Sequence, residues 1–260
     1  MRFKFGQNWQ SYSKNALTPE KVQQAKAHFR ELLGQIELKD KTFLDIGFGQ
    51  GLSLSCAALE GAQVKGVDVD QDNLNAIEAT TQVVGLEAVP QVEIGSILDS
   101  NWVSKELEKG QYDVVHSWGV LHHTGNMALA FKNACSLVKD EGHFVCAIYN
   151  RHWSSLPWKW IKFLYCASPA LGKDLMIALF YPIIYMAKWL VTGKNPKDKL
   201  RGMDFMHDVI DWVGGYPYEY ASIQEIKDLV APYGMECLKE IDSNVPTGCN
   251  EMVFVKKASK

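Results

Sequence analysis

Apolar residues along this chain fall into two alternating rhythms. Short runs dense in β-branched and aromatic residues read as strands: KTFLDIG (41–47), VKGVDV (64–69), QVEIGS (91–96), YDVVHSW (112–118) and HFVCAIY (143–149). Between them lie segments with helical spacing: SLSCAALEG (53–61), DNLNAIEATTQVV (72–84) and NMALAFKNACSLVK (126–139). A further helix is predicted over 18–34, with Thr18 as its N-cap, Pro19 in its first turn and Gly34 as its stop. Strand and helix in alternation predict a parallel sheet covered on both faces, with right-handed crossovers that bring all strand C-termini to one edge. The tail breaks the rhythm. A helix at 222–234 precedes MECLKEID (235–242) and CNEMVFVKK (249–257), which read as an antiparallel edge hairpin turning around Pro246 and Gly248. The fold class is therefore α/β, a seven-stranded and mostly parallel sheet.

Residues 151–220 interrupt this pattern where a short connection would suffice, and read as a helical insertion after the fifth strand. They hold five of the eight tryptophans and six of the ten tyrosines. Residues 151–201 carry nine Lys/Arg against two Asp, a local +7 in a chain of net charge −3. Within the insertion, LMIALFYPIIYMAKWLV (175–191) is apolar all round, but a membrane span needs about 20 apolar residues and this run contains Pro182 and Lys188. It is expected to be a buried helix or helix pair in a cap, or a homodimer contact. A peripheral contact with an anionic membrane is the alternative. The chain then divides into 1–34 (N-terminal lid and helix), a 40–150 core, the 151–220 insertion and a 221–260 C-terminal helix and hairpin, all in one domain of 1–260.

Bulk composition narrows the partners. With 260 residues the chain can bury a core unaided. The net acidic balance argues against general nucleic-acid binding. Six cysteines form no CxxC pair and sit mostly in apolar runs, as buried thiols of a reducing compartment do. The first fifteen residues show no apolar signal core, so the expected location is cytoplasmic, with the inner face of the membrane as its peripheral variant.

The densest chemistry is FLDIGFGQGLSL (43–54), a strand that turns through Gly47, Gly49 and Gly51 into a helix. Such a loop lets backbone amides approach a ligand closely. A dinucleotide loop would place its third glycine at position 52, which is Leu52 here. The pattern DxGxGxG, with VKGVDVD and DVVHSWGVLHH downstream, resembles the class I S-adenosylmethionine-dependent methyltransferases over about residues 40–150. FGxNW, SWGVLHHTG and DWVGGYPYE extend the likeness toward small-molecule methyltransferases related to quinone-type O-methyltransferases. The resemblance implies a Rossmann-like fold, S-adenosylmethionine as cofactor and S-adenosylhomocysteine as product. It also implies that Asp45 faces the cofactor's ammonium end, that Asp68 accepts hydrogen bonds from the ribose hydroxyls and that Val69 lies against the adenine. Asp70 is a weaker candidate for the ribose. Ser96 and the Ile97 backbone take a slot where relatives often carry Asp. Ser117 and Trp118 fall at the C-terminal end of the fourth strand, facing the cleft. The segment 5–13 is a lid in many relatives, and Trp9 and Tyr12 would then cover the methionine end. Docking of Phe5, Trp9 and Tyr12 onto the core is the equal alternative.

Methyl transfer to a hydroxyl needs a proton acceptor near neutral pH, and histidine suits that task. His122 and His123 lie just beyond the fourth strand. His122 is the favoured base or orienter, and His123 is expected mainly to cap or pack. His207 and Asp211 share a helical face in the insertion. His207 as a further catalytic candidate, with Asp211, Tyr216 and Tyr218, is expected to shape the acceptor pocket, or else to fix a lid. The expected activity is methylation of a small-molecule acceptor, at a hydroxyl or amine of a metabolite, glycan or phosphorylated intermediate. A membrane-borne lipid or quinone precursor is the alternative. RNA methylation ranks below both, because no NPPY-type tetrad is present.

Overall fold

A computed structural model describes residues 2–197, 204–243, 245 and 248–258. Seven strands, β1 (Thr42–Ile46), β2 (Gln63–Asp68), β3 (Gln91–Ile94), β4 (Tyr112–Trp118), β5 (Val138–Tyr149), β6 (Met235–Ile241) and β7 (Cys249–Lys256), form one sheet in the order β3-β2-β1-β4-β5-β7-β6. The first five are parallel, and β7 runs antiparallel between β5 and β6. This is the Rossmann-like architecture expected from the alternation. Pro246, placed in the hairpin turn, lies outside the described residues, while the two strands pair as expected.

The central strands are apolar on both sides because helices cover both faces. Phe43 and Leu44 of β1 and the run Phe144–Ile148 of β5 are buried. One face packs under α6 (Met127–Ser136) and α10 (Ile223–Val230), the other under α2 (Pro19–Leu33) and α3 (Leu52–Leu59). The Thr18 side chain caps α2 by accepting from the Lys21 N–H at 3.4 Å, and Gly34 ends that helix. Two helices differ from the sequence expectation. Segment 5–13 belongs to a helix of its own, α1 (Phe5–Asn15), and α5 (Ser100–Lys109) fills the span between β3 and β4, where no element was expected from the sequence. Asp99 caps α5 by accepting from the Asn101 N–H at 2.9 Å.

With α4 as Asp72–Val84, the insertion supplies α7 (Ser155–Ala167), α8 (Ala170–Thr192) and α9 (Phe205–Gly214). These three pack around Tyr165, Ile184, Phe205, Val209 and Trp212. The apolar run 175–191, expected as a buried helix or helix pair of a cap or as a homodimer contact, has only one stripe covered in α8. Met176, Ile177, Phe180 and Ile184 face the cluster while Leu175, Leu179 and Leu190 are exposed. The insertion thus forms a lobe over the C-terminal edge of the parallel strands, where the loops converge.

Candidate active site

The loop between β1 and α3 begins the site. Gly47 and Gly51 sit at φ +74° and +77°, and a side chain at either would meet Val120 or Ile77 at 2.4 Å. Only glycine satisfies both the left-handed backbone and the missing space. The Gly49 N–H donates to Asp68 Oδ2 at 3.0 Å, and the Asp70 N–H donates to Asp68 Oδ1 at 2.9 Å. The carboxylate that ends β2 is thereby pinned at the mouth of the loop. Burial pushes its pKa up, against the opposing pull of those two amides and of Asn73.

From this loop a single cavity of about 1240 Å³ extends under the insertion. Ligand pockets are commonly about 300–1,000 Å³, so the space admits a cofactor and an acceptor together. Trp9, Asp45, Gly47, Gly49, Asp68, Val69, Ser96 and Ile97 line its first half. His123, Trp118, Tyr149, Trp158, Asp211 and Trp212 line the half toward the insertion. Trp9 stands over the loop, its indole Nε1 3.3 Å from the point where a Gly49 side chain would start.

The donor and acceptor set fits the expected cofactor. Asp68 retains acceptor capacity for sugar hydroxyls. Gln50 lines the cavity with a buried Oε1 that has no protein partner, as a ligand donor requires. Asp45 lines the cavity too, and its Oδ1 is 2.7 Å from His116 Nδ1. Ser96 Oγ accepts from the Leu98 N–H at 3.2 Å and so shapes the turn after β3.

Several residues singled out from the sequence lie elsewhere. Tyr12 is fully buried, its ring edge-on to Trp9 and to His207 at 5.5 Å, and it docks α1 rather than lining the cavity. Ser117 is on the opposite face of β4 from Trp118, as the two-residue period of a strand requires. Its hydroxyl donates to the Ile46 carbonyl at 3.0 Å. His207 is outside the cavity, with Nδ1 2.9 Å from Asp204 Oδ2 and Nε2 3.3 Å from Ser11 Oγ. Tyr216 is held by its carbonyl, which accepts from the Phe3 N–H at 2.8 Å, and Tyr218 is buried against Tyr149 at 5.4 Å. Neither lines the cavity.

The two adjacent histidines are placed the other way round from the expectation. His122 is fully buried with its ring 4.0 Å from that of Tyr149, and does not reach the cavity. His123 does. Its Nδ1 is 2.7 Å from the Pro217 carbonyl. A carbonyl only accepts, so Nδ1 carries the proton and Nε2 keeps its lone pair. Burial, with Lys162 nearby, holds the His123 pKa at about 3.

Four residues without a sequence-assigned role in the site matter to the geometry. His116 shares the strand face of Trp118, which the two-residue period alone would have revealed. Gln50 lay inside the glycine motif. Asn8 donates to Asp211 Oδ1 at 2.7 Å and to the His207 carbonyl at 3.0 Å, tying α1 to α9. Lys162 is fully buried, donates to the Trp212 carbonyl, and lies 4.2 Å from the Trp212 ring and 4.8 Å from that of Tyr218. Asn8 stands in the FGxNW motif without a role of its own, and Lys162 counts in the sequence only as one of the basic residues that could meet an anionic membrane, which its full burial rules out.

Comparison with known proteins gives consistent likenesses. A family model described as a methyltransferase domain matches residues 19–212. A ubiquinone biosynthesis O-methyltransferase of Marinobacter nauticus is 30% identical over 118 residues, 45% of this chain and 48% of that protein. The chain thus spans about half the length of the curated relatives it matches. Among solved structures, the magnesium protoporphyrin IX methyltransferase of Synechocystis with SAH bound has a TM-score of 0.57 at 14% identity, over 91% of this chain and 83% of that one. An O-methyltransferase family protein of Burkholderia thailandensis has the same TM-score and identity, over 92% and 58%. At such identities the likeness is one of fold.

Proposed function

The chain belongs to the methyltransferase-domain family, and from that premise we propose that it transfers a methyl group from S-adenosylmethionine to a small-molecule acceptor. The observation that carries this reading is the placement of Asp68, pinned by the Gly49 and Asp70 amides at the entrance of a cavity large enough for two ligands. S-adenosylmethionine, when bound, supplies a methyl group on a sulfonium centre, open to in-line displacement. Asp68 would hold the ribose hydroxyls, Gln50 and Asp45 the polar groups of the methionine end, and Val69 and Ile97 the adenine.

The remaining work falls to the chain's own residues. Trp9 and α1 close the loop side against water, and α9 closes the far side, since Asn8 joins the two. His123, with Nδ1 bound to the Pro217 carbonyl, would offer its Nε2 lone pair to the acceptor. Its locked tautomer lets it accept a hydrogen bond from an acceptor hydroxyl or amine and orient that group. His123 therefore takes the role first assigned to His122. Trp118, Tyr149, Trp158 and Trp212 offer broad apolar walls, with His28, His152, Lys188, Asp208 and Asp211 among the polar residues beside them. Those aromatic walls favour an acceptor with an aromatic or otherwise largely apolar body that carries a reacting hydroxyl or amine.

The test is a panel of hydroxylated and amino aromatic acceptors incubated with S-adenosylmethionine, with S-adenosylhomocysteine as readout. Turnover by the wild type, lost with Asp68→Ala through weaker cofactor binding, is the expected result. Calorimetry with no heat for either S-adenosylmethionine or S-adenosylhomocysteine on folded protein would overturn the reading.

A further inference from the structure

The covered stripe of α8 leaves its other face bare. Leu171, Leu175, Leu179, Ile183, Met186 and Leu190 recur at spacings of three and four, and each is between 47% and 72% exposed. On α7, Leu156, Trp160 and Leu164 repeat the pattern at 55–62% exposed. The helix Ala170–Thr192 is long and apolar enough to cross a membrane by length and composition, and only 6% of its most apolar window is buried. The inner faces of the same helices hold the polar exception, with Lys162 fully buried on α7. The pair is thus turned apolar side outward, against the usual order of a surface helix.

Three observations say what covers this face. First, charge surrounds it with one sign. Residues 151–197 carry seven Lys/Arg against one Asp. Of these, Arg151 is bound to Glu225, Lys188 to Asp208, and Lys162 is buried. Lys159, Lys173, Lys194 and Lys197 form no ion pair among the described residues, and the last three flank the two ends of the apolar stripe. Second, Trp153, Trp160 and Trp189 are 82%, 62% and 48% exposed, and an indole prefers the level between headgroups and acyl chains. Third, α8 is also a wall of the cavity, through Ile183, Ile184, Ala187 and Lys188. A span through the bilayer would strip this wall from the lobe, whereas a helix lying in the interface keeps it.

We propose that the outer face of α7 and α8 docks the protein flat on an anionic lipid bilayer. A second copy is the competing occupant, and charge disfavours it. A two-fold contact through this face would set the same lysines against each other. Anionic headgroups instead meet the lysine rim while the leucine stripe enters the acyl boundary. Docking would bring the cavity wall against the lipid phase, so that an apolar acceptor could enter without crossing water. The docking itself stands apart from methyl transfer, because it needs no turnover.

The experiment is flotation of the full chain with vesicles of equal parts phosphatidylglycerol and phosphatidylcholine, and with phosphatidylcholine alone. The wild type is expected to float with the anionic vesicles about tenfold more than with the neutral ones, and to be released by about 0.5 M NaCl. The triple variant Leu175→Gln, Leu179→Gln, Leu190→Gln is expected to lose flotation by about tenfold with an unchanged melting temperature. These positions are exposed and outside the cavity, so folding is spared. Wild-type protein that stays down with anionic vesicles, or floats equally with both kinds, overturns the proposal. So does a triple variant that floats like the wild type. Sedimentation showing a wild-type dimer that the triple variant dissociates, without vesicle binding, would assign the face to a second copy.

Discussion

His122 and His123 are neighbours in one tight turn with different surroundings, and their titration follows. Burial, then His123 and Lys162, hold His122 well below its ordinary value of 6.5. Burial and Lys162 hold His123 at about 3. Both are therefore neutral in the folded protein at pH 5–7, while in the unfolded chain they gain protons near 6.5. Between about 6.5 and about 3 the unfolded state binds more protons, so stability falls as the pH drops through that window. The slope is up to about 1.4 kcal/mol per pH unit for each histidine. Urea melts at pH 7, 6 and 5 check this, and His123→Phe is expected to remove one proton from the slope. The same neutrality gives a second outcome. With His123 orienting the acceptor, kcat/KM is expected to show no acid limb near 6.5, whereas an exposed histidine would produce one. Asp68 is the other decisive residue. Replacing it by Ala removes a buried acceptor at the proposed ribose position. The expected loss of S-adenosylhomocysteine affinity is about 10–100-fold by calorimetry, from hydrogen bonds to a charged group worth roughly 1.5–3 kcal/mol.

Helices α1 and α7 carry the element-scale behaviour. The N-terminal segment, expected as a lid or as a segment docked onto the core, is a helix whose Asn8 reaches α9. A double-mutant cycle with Asn8→Ala and Asp211→Ala is expected to give a coupling energy of about 1–2 kcal/mol in urea melts. A coupling near zero would mean that α1 docks through Tyr12 and its neighbours alone. In α7, burial pulls the Lys162 pKa down to about 7, against the upward pull of Asp211. An unfolded lysine keeps its proton up to about 10.4. Above pH 7 the unfolded state then binds more protons, so the wild type gains stability as the pH rises. Lys162→Met lacks that gain. Its stability relative to wild type is therefore expected to fall by roughly 2–3 kcal/mol between pH 6 and pH 9. Removing a buried charge is often neutral or stabilising, so the variant should fold at pH 6 and permit the comparison.

At the scale of the whole molecule, the sheet, α1 and the insertion meet around one cavity, so a ligand there couples them. S-adenosylhomocysteine at a hundred times its dissociation constant is expected to stabilise the fold by about 2.7 kcal/mol, or roughly 5–10 °C in melting temperature. Asp68→Ala should shift the concentration needed by the same factor as the affinity. The charge division is equally global. The insertion is basic and the remainder acidic, so the molecule presents one attractive face to an anionic surface.

The order of strands and helices was legible in the chain because alternation of period 2 and period 3.6 reflects which faces must be buried, and the glycine loop because φ and space leave no other residue. Asp45, Asp68, Val69, Ser96 and Ile97, singled out through the family resemblance, all line the cavity because parallel strands deliver their C-termini to one edge. Tertiary packing decided what no local pattern encodes. Which of two adjacent histidines faces the cavity depends on a Pro217 carbonyl 94 positions away. Tyr12 and His207 meet each other rather than a ligand because α1 folds onto α9. The apolar run in α8 told how hydrophobic the helix is but not which side is covered, since a helix apolar all round has no period to read.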